Sequence, residues 1–509
     1  MSVNKKKTNI LQIFTYIYLF LQTFLFFSLW LKPIFGIPLS LLVFVGIYFS
    51  LKSETPLWKP EFNKNNLVIL ALVLALVILW TLTSGVGSSV TQYPDHLYRN
   101  GLFRMLIDHK WPVVLTQNGQ SKYMAYYIGF WLPAAFIGKA TSYEFAFLFM
   151  QIWMAIGLFL VFYYICEKRG KVRLWYFVVF VLFGGADYIG YKLIGGYFTQ
   201  LGNRVEWWAY IYNIPGILTN SFWAYNQAIY AWLLTAVIMR QKSNKNLLFI
   251  WSVGLLNCTF PAVGMIPFVI YRALKNEENN NYLLRFKNAV LSSITSWQFL
   301  IGFVFSLMIS LYVASNLTII HTSSIIDSST KTLSTFTTFL TKDVASTPFS
   351  AYPWTTRLYM YLWFVLLEFG LYFIVIYKAK SDKPIYWLTL AVLLAIPLIS
   401  IGGWLDFCMR GPIPAIFILY HMVLDSFEKY YEEKNKYLLS LLVIFSMLSA
   451  MTCYDTLVGV MEPMANNLYN SSKVTADAFS EEYIFNANNF FGSTNSSFYK
   501  IFMKQNGSN

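Results

Sequence analysis

Long apolar segments separated by short polar ones dominate the pattern of this chain. The first three run from Ile10 to Leu31, from Pro33 to Leu51 and from Leu67 to Val86. Each is about as long as the ~17–25 residues that a helix needs to cross a bilayer. Similar segments recur as far as Cys453. The pattern therefore predicts an all-α integral membrane protein with about 13 transmembrane helices.

Two apolar stretches depart from a simple span. Tyr123 to Gly138 is short and contains Pro133, which predicts an interfacial or re-entrant helix. Leu247 to Ala273 contains prolines and has basic residues at both ends, so we expect a hairpin of two short helices. The other predicted spans are Tyr143–Cys166, Leu174–Ile194, Trp223–Met239, Val290–Ala314, Arg357–Tyr377, Tyr386–Ile401, Pro412–Phe427 and Leu438–Cys453.

Charge sets the orientation of these spans. Only 12% of the residues are charged, whereas a soluble domain carries roughly a quarter. The net charge of +14 comes mainly from Lys and Arg in the short inner loops, as the positive-inside rule expects, and it requires no nucleic-acid partner. We therefore expect a multi-pass protein of the plasma membrane, with a cytoplasmic N-terminus and an outer C-terminus.

This topology divides the chain into a transmembrane domain, residues 1–455, and an outer C-terminal tail, residues 456–509. Three outer loops follow from it, at 87–141, 195–222 and 315–353, and the first is expected to carry interfacial helices. The four cysteines have no metal-ligand spacing, and the chain has no Gly-rich phosphate loop. A zinc site and an ATP-driven pump are therefore not expected, and a divalent cation is the only cofactor left open.

The first outer loop contains the segment YPDHLYRNGLFRMLIDHKWPV, from Tyr93 to Val113. Its apolar residues recur at helical spacing, which predicts an amphipathic helix lying on the membrane surface. Asp95 with Arg99, and Arg104 with Asp108, are spaced i,i+4. Such pairs are commonly surface salt bridges of little energetic weight. The alternative is that Asp95 is a catalytic carboxylate at the mouth of a membrane site. The apolar residues of this helix are Leu97, Phe103, Leu106 and Ile107.

Further polar residues collect near the predicted outer ends of the spans. Ionisable groups at membrane depth are costly and often mark a functional cavity. Each also has an ordinary interpretation: Arg357 snorkels, Asp187 caps a helix, and the other charged residues form structural pairs such as Arg204–Glu206 and Asp406–Arg410. The candidate substrate-binding residues are His96, Arg99, Asp187, Arg204, Glu206, Trp207, Asn226, Gln227, Arg357, Asp406 and Arg410.

Three segments carry a resemblance to a known class. YPDHLYR, from Tyr93 to Arg99, and YYIGFWLP, from Tyr126 to Pro133, are similar to the first outer loop of the C-type membrane glycosyltransferases. That class includes protein mannosyltransferases and lipid A aminoarabinose transferases. LDFCMR, from Leu405 to Arg410, looks like a late-span motif of bacterial relatives. The likeness covers roughly Tyr93 to Arg240 by motif and the remainder by topology only.

The resemblance implies a bacterial cell-envelope enzyme. It would transfer a sugar, with inversion, from a polyprenyl-phosphate carrier to a saccharide, lipid or protein acceptor at the outer face. By analogy Asp95 is the general base on the acceptor hydroxyl or the residue that positions that hydroxyl. Separately, the geometry of the guanidinium group suits Arg204, Arg357 and Arg410 to bind the lipid phosphate. Where the class has an acidic pair, this chain has Asp95 followed by His96. In this chain two spans precede the span that leads into the loop, whereas the class usually has one.

Two other functions stay open. A transporter or flippase of lipid-linked sugars predicts an internal repeat and polar residues near the bilayer midplane. The hydropathy pattern has no convincing repeat, and the polar residues lie near the outer ends, which favours an enzyme. The third hypothesis, beside the enzyme and the transporter, is a non-catalytic membrane subunit of a glycosylation system. All three share membrane lipids and lipid-linked sugars as partners.

Overall fold

The computed structural model of the chain is helical, as the apolar pattern predicts. Within the described residues, eight helical segments are long and apolar enough to cross a membrane, judged by length and composition. The structure describes residues 9–61, 63–88, 95–194, 204–209, 212–277, 281–316, 353–399, 406–465 and 488–505.

Helices account for most of the described residues. In chain order they are α1 (Ile10–Trp30), α2 (Pro33–Ser53), α3 (Lys64–Thr83), α4 (Asp95–Asp108), α5 (Leu132–Ala140), α6 (Tyr143–Arg169), α7 (Leu174–Val181), α8 (Asp187–Leu193), α9 (Ile217–Trp223), α10 (Tyr225–Arg240), α11 (Leu247–Ser252), α12 (Gly254–Asn257), α13 (Thr259–Lys275), α14 (Tyr282–Ile294), α15 (Trp297–Ala314), α16 (Trp354–Val365), α17 (Leu371–Lys380), α18 (Pro384–Ala395), α19 (Asp406–Arg410), α20 (Ile413–Glu432), α21 (Lys436–Ala465) and α22 (Ser497–Phe502).

The eight candidate spans include the first three predicted ones. They are α1, α2, α3, α6 and α15, the segment Trp354–Lys380, the segment Asp406–Glu432, and α21 as far as Val460. In Trp354–Lys380 a π-helical turn, Leu366–Gly370, joins α16 to α17. The prediction of about 13 spans exceeds these eight. Several of the predicted spans are interrupted, or their helices are shorter than a helix that crosses a bilayer.

The predicted span Leu174–Ile194 is one of the interrupted ones. Helix α7 ends at Val181 and α8 begins at Asp187. A Cβ at Gly184 would lie 2.9 Å from the Cα of Gly216, so this glycine allows two backbone segments to touch. The Ile217 amide donates to the Phe183 carbonyl over 2.8 Å. Irregular backbone of this kind is tolerated at membrane depth when it is buried in protein and finds partners.

Other predicted spans are also divided. The stretch from Leu247 contains three helices, α11 to α13, where we expected a pair. Helix α10 has 16 residues and is separated from α9 by Ala224, whose φ of −140° and ψ of 40° are not helical. Helix α18 is extended by a short 3-10 turn, Ile396–Leu398. Helices α14 and α15 meet at Ser296, whose side chain caps α15 by accepting from the Phe299 amide over 3.2 Å.

The helix predicted in the first outer loop is present as α4. Its apolar residues Leu102, Phe103 and Leu106 are fully buried inside the protein. The Phe103 ring lies 5.2 Å from the Phe147 ring of α6. The apolar stripe therefore packs on the protein's own helices, where the sequence suggested a face toward the membrane surface.

A small antiparallel sheet, absent from the sequence prediction, follows α4. Strand β1 (Val114–Gln117) pairs with β2 (Gln120–Met124), and β2 pairs with β3 (Phe491–Ser493). Helix α22 follows β3. A bridge between Leu31 and Met503 then ties this region to the end of α1. Residues 488–505 of the predicted C-terminal tail thus pack against the predicted first outer loop and the end of α1.

Ion pairs hold the opposite end of the bundle together. Arg240 pairs with Glu167 at 2.9 Å and with Glu54 at 3.5 Å. Asp425 pairs with Arg169 of α6 at 2.7 Å, with the neighbouring Lys168 at 3.8 Å and with Lys380 of α17 at 3.1 Å. These groups lie in or beside the loops that the sequence predicts to be inner and basic.

Candidate functional site

Helix α4 brings His96 against the broken helix formed by α9 and α10. The imidazole is fully buried, and its Nε2 lies 2.6 Å from the carbonyl oxygen of Phe222. Because a carbonyl can only accept, Nε2 carries the hydrogen. The ring centroid is 5.2 Å from that of Tyr225. Helix α4 begins at Asp95. The side chain of Asp95, our predicted catalytic carboxylate, lies outside the described part of the structure.

One turn further along α4, Arg99 lies over an aromatic ring. Its Cζ is 5.6 Å from the ring centroid of Tyr225, a cation–π arrangement, and the residue is only 6% exposed. The Tyr225 hydroxyl accepts a 3.0 Å hydrogen bond from Trp131 Nε1. Trp131 belongs to the YYIGFWLP segment, so the first two segments that carry the resemblance meet at the start of α10.

Tyr126, from the same segment, lies near two arginines. Its hydroxyl is hydrogen-bonded to that of Tyr127, and the two ring centroids are 3.7 Å apart. Burial and the neighbouring Tyr127 raise the pKa of Tyr126 well above its ordinary value, and the positive charges of Arg410 and Arg99 oppose that rise. Both guanidinium groups are thus close enough to act on one hydroxyl. We call His96, Arg99, Tyr126, Tyr225 and Arg410 the two-arginine site.

Arg410 is positioned by the junction of α19 and α20. Its Nη1 lies 3.0 Å from Asp406 Oδ1, so the predicted i,i+4 pair is present. A Cβ at Gly264 of α13 would lie 2.0 Å from the Gly411 carbonyl oxygen. Only glycine at position 264 allows this approach, and the approach fixes the residue that follows Arg410.

The two-arginine site has the chemistry of an anion site. Arg99 and Arg410 bring two positive charges into a largely buried region, where electrostatic interactions are stronger than in water. Asp406 neutralises part of the charge of Arg410. Guanidinium groups match the geometry of phosphate oxygens and can bind them through two parallel hydrogen bonds.

Two buried amides lie in the first turn of α10. Asn226 and Gln227 are each 1% exposed. Within the described residues, neither the Oδ1 nor the Nδ2 atom of Asn226 has a hydrogen-bond partner, and Gln227 Oε1 has none either. Such groups in a folded protein point to a water or ligand that completes them. Ala224, which precedes the helix, provides no side-chain cap.

A second cluster contains buried carboxyl groups. Asp187, Glu206 and Glu368 are 1%, 3% and 4% exposed. The indole Nε1 of Trp208 lies 3.2 Å from Asp187 Oδ1 and 3.1 Å from Glu368 Oε1. Thr452 Oγ1 donates to Asp187 Oδ2 over 3.0 Å. The sequence analysis missed Glu368, although a single glutamate inside an apolar span is itself a signal.

Glu206 does not form the expected solvent pair with Arg204. Its carboxylate accepts from the Gly216 amide at 2.7 Å and lies 3.1 Å from Thr219 Oγ1. Burial raises the pKa of Glu206 well above its ordinary value, and Asp187 adds to the rise. Arg204 points instead to Asp455, whose carbonyl oxygen is 3.5 Å from its Nη1.

The two remaining candidates lie at the edges of these clusters. The Trp207 ring is 5.8 Å from the Trp223 ring, so an aromatic pair connects the carboxyl cluster with the end of α9. Arg357 is in the first turn of α16. Burial raises the pKa of Tyr212, and the charge of Arg357 opposes this rise. The candidate residues therefore belong to the two-arginine site, to the cluster of buried carboxyl groups, or to the edges of these two.

Within the described residues, no group of three or more His, Cys, Asp or Glu side chains is arranged to hold a metal ion. The four cysteines are buried and unpaired as disulfides. No protein-family model, curated protein or solved structure matches this chain.

Proposed function

We propose that this chain is a membrane glycosyltransferase, which moves a sugar from a polyprenyl-phosphate carrier to an acceptor hydroxyl at the outer membrane face. One feature carries the proposal: Arg99 and Arg410, from distant parts of the sequence, both lie close enough to Tyr126 for their positive charges to oppose the rise in its pKa. Arg99 lies in the second turn of the helix that opens with Asp95. A lipid-phosphate donor needs such a basic site and needs no nucleotide-binding domain.

The chemistry assigns each group a role. The acceptor oxygen attacks the anomeric carbon as the bond from that carbon to the phosphate oxygen breaks. Asp95 takes the proton of the acceptor hydroxyl, and the phosphate leaves with the bonding electrons and the prenyl chain. Arg99 and Arg410 stabilise the negative charge that develops on the leaving phosphate. Attack from the opposite face inverts the anomeric configuration.

The surroundings support recognition of a sugar. Tyr126 and Tyr127 present linked hydroxyl groups near the arginines. Asn226 provides both a donor and an acceptor that the described residues leave unfilled. Amides and aromatic rings together suit a sugar, which offers hydroxyl groups around its edge and an apolar face.

The test uses the full chain in lipid vesicles with a radiolabelled polyprenyl-phosphate sugar. Asp95→Asn keeps the size of the side chain and removes the base, so we expect transfer to fall by roughly 10²–10⁴-fold. Asp108→Asn is the matched control, because Asp108 lies at the other end of α4 in an exposed pair with Arg104. Full activity of the Asp95 variant would rule out the assigned role. A vesicle preparation that transfers no sugar from any such donor would remove the proposal itself.

A second candidate function is transport of lipid-linked sugars. Two features support it: the interrupted helices α9 and α10, and the carboxyl cluster that reaches Glu368 inside a 27-residue candidate span. Transporters commonly bind their substrates at broken helices. Vesicles without any acceptor separate the two functions, because a transporter moves the labelled lipid between leaflets and a transferase alone does not.

A further inference from the structure

Asp187 and Glu368 come from segments that are far apart in the sequence and meet inside the protein. Asp187 opens α8, and Glu368 lies in the π-helical turn between α16 and α17. The indole Nε1 of Trp208 lies within hydrogen-bonding distance of both carboxyl groups, 3.2 Å from Asp187 and 3.1 Å from Glu368, so the two carboxyl groups are direct neighbours. Turns of the π type occur often at functional positions, because they widen the helix and redirect a side chain.

Two carboxylates in contact cannot both be ionised in a buried site without a compensating cation. In the described parts of the chain, no Lys or Arg forms an ion pair with Asp187, Glu206 or Glu368. The indole N–H of Trp208 supplies one hydrogen between the pair, which is too little to neutralise two charges. A proton between the two carboxyl groups removes the conflict.

The second oxygen of the Glu368 carboxyl group gives a further indication. Within the described residues Oε2 of Glu368 has no hydrogen-bond partner, although the residue is only 4% exposed. This oxygen lies against Gly185, where an added Cβ would be 2.3 Å away. A carboxylate oxygen left without a donor in such a place is costly, whereas the oxygen of a neutral carboxyl group is less so.

The neighbouring hydroxyl groups lead to the same conclusion for Glu206. Thr219 Oγ1 lies 3.1 Å from Glu206 and 2.9 Å from Thr456 Oγ1, and the Thr456 hydroxyl donates to the Thr452 carbonyl over 3.1 Å. These three contacts need three hydrogens, and the two hydroxyl groups supply two. A protonated Glu206 supplies the third.

We propose that Asp187 and Glu368 form a proton-binding site in the interior of the protein and share one exchangeable proton. Loss of that proton leaves two negative charges in contact and pushes α8 away from the π-helical turn. Proton binding is thus coupled to the packing of Trp354–Lys380 against α8. This inference does not rest on the proposed transferase function and holds equally for an enzyme or a transporter.

Several other groups face this site and enter its titration. Helix α21 contributes Cys453 and Asp455, and the segment before α9 contributes Glu206 and Arg204. Tyr372 follows the π-helical turn and faces Asp187. The experiment therefore compares variants in which all of these groups are unchanged.

The decisive experiment counts protons. The full chain in detergent at pH 7 is unfolded with sodium dodecyl sulfate, and the protons released are titrated in weak buffer. Unfolded Asp and Glu have pKa values of about 4, so a shared proton leaves on unfolding. We expect the wild type to release about one proton more than the double variant Asp187→Asn/Glu368→Gln. The control Glu433→Gln, an exposed group paired with Lys429, should release as many protons as the wild type.

Other counts would overturn the proposal. No difference between the wild type and the double variant would mean that both carboxyl groups are ionised, and a difference of two protons would mean that each holds its own. If the double variant does not fold, infrared spectroscopy of Glu206→Gln at pH 7 decides. The C=O stretching band of a protonated carboxyl group must persist in that variant, and its absence would also overturn the proposal.

Discussion

The guanidinium Cζ of Arg99 lies 5.6 Å from the ring centroid of Tyr225, which joins the first outer loop to the start of α10. A cation–π contact in a desolvated place stabilises by about 2 kcal/mol. The contact holds the Arg99 guanidinium at the start of α10. Helix α4 therefore positions Arg99. Substitutions of arginine by lysine can distinguish the effect of the charge from the effect of the guanidinium geometry.

Replacing each arginine of the two-arginine site by lysine keeps the charge and removes the planar fork. We expect Arg99→Lys and Arg410→Lys each to reduce transfer by roughly 10²–10³-fold, because a point charge stabilises a phosphate less well than a bidentate pair. Arg104→Lys on the same helix is the control, since Arg104 is exposed and lies over Tyr143. The measurement is kcat/KM for sugar transfer, with the unfolding midpoint checked alongside. Equal losses in all three variants would contradict a special role for the site.

The buried amide of Asn226 should lower the free energy of unfolding of the ligand-free protein. Asn226→Leu removes a buried amide without partners, so we expect the free energy of unfolding to stay level or to rise by about 1–3 kcal/mol. Asn246→Leu is the matched comparison, because that amide is fully buried and bonded to Gln241 at 3.0 Å and to Ser53 at 2.9 Å. It should lose about 1–3 kcal/mol. Unfolding in sodium dodecyl sulfate measures both, and a clear loss in the Asn226 variant would mean that the amide is satisfied.

Glu206 should make the protein less stable as the pH rises. Burial raises its folded pKa above the unfolded value of about 4.3, so its contribution is fully present below that value. The contribution is lost as the pH rises through the folded pKa. We expect Glu206→Gln to reduce the fall in melting temperature between mildly acidic and alkaline pH, whereas Glu433→Gln should not. An unchanged slope in Glu206→Gln would show that Glu206 is ionised in the folded protein.

Asp425 should contribute strongly to the stability of the end of the bundle that contains Arg169 and Lys380. It pairs with Arg169 at 2.7 Å and with Lys380 at 3.1 Å, and its side chain is 29% exposed. Asp425→Asn leaves a buried guanidinium without its partner, so we expect a loss of about 3 kcal/mol in the free energy of unfolding. Glu433→Gln breaks a pair in which both side chains are almost half exposed, and it should change little. Similar losses in the two variants would contradict the ranking by burial.

Helix α22 should anchor the small sheet through one aromatic residue. Phe498 is 5% exposed, and its ring lies 5.8 Å from Tyr312 and 5.5 Å from Phe502. Phe498→Ala should cost about 3–5 kcal/mol, because it leaves a cavity between α15 and α22. Ile501→Ala on the same helix, at a residue that is 50% exposed, should cost far less. Limited proteolysis near Gly492 reports the loosening, and equal resistance of both variants would disprove the anchor.

The sequence predicts much of the helical part of the molecule, because apolar length is a local property. It also predicts the helix that begins at Asp95 and the Asp406–Arg410 pair, whose partners lie within one turn. The meeting of Arg99, Tyr126 and Arg410 is non-local, and it was suggested by the likeness of their segments to one protein class and, for the two arginines, by the predicted topology. Nothing in the separate segments fixes their distance.

The errors have physical reasons as well. Glu368 was overlooked because its span is otherwise uniformly apolar, so the hydropathy pattern hides a polar turn on its inner side. Strand β3 has three residues and no period of its own, and its partner β2 lies hundreds of positions earlier. The breaks at Gly184 and Ala224 depend on close contact with other segments, which a linear pattern does not contain.

The small sheet also has a consequence for biosynthesis. Tyr123 and Ser496 are 373 residues apart and lie within hydrogen-bonding distance. While the chain is being made, β2 must wait for Phe491 before its second edge is covered. The ribosome therefore delivers this strand after all eight candidate spans of the described residues have been made, and the surface beside Tyr126 closes as one of the final steps of maturation.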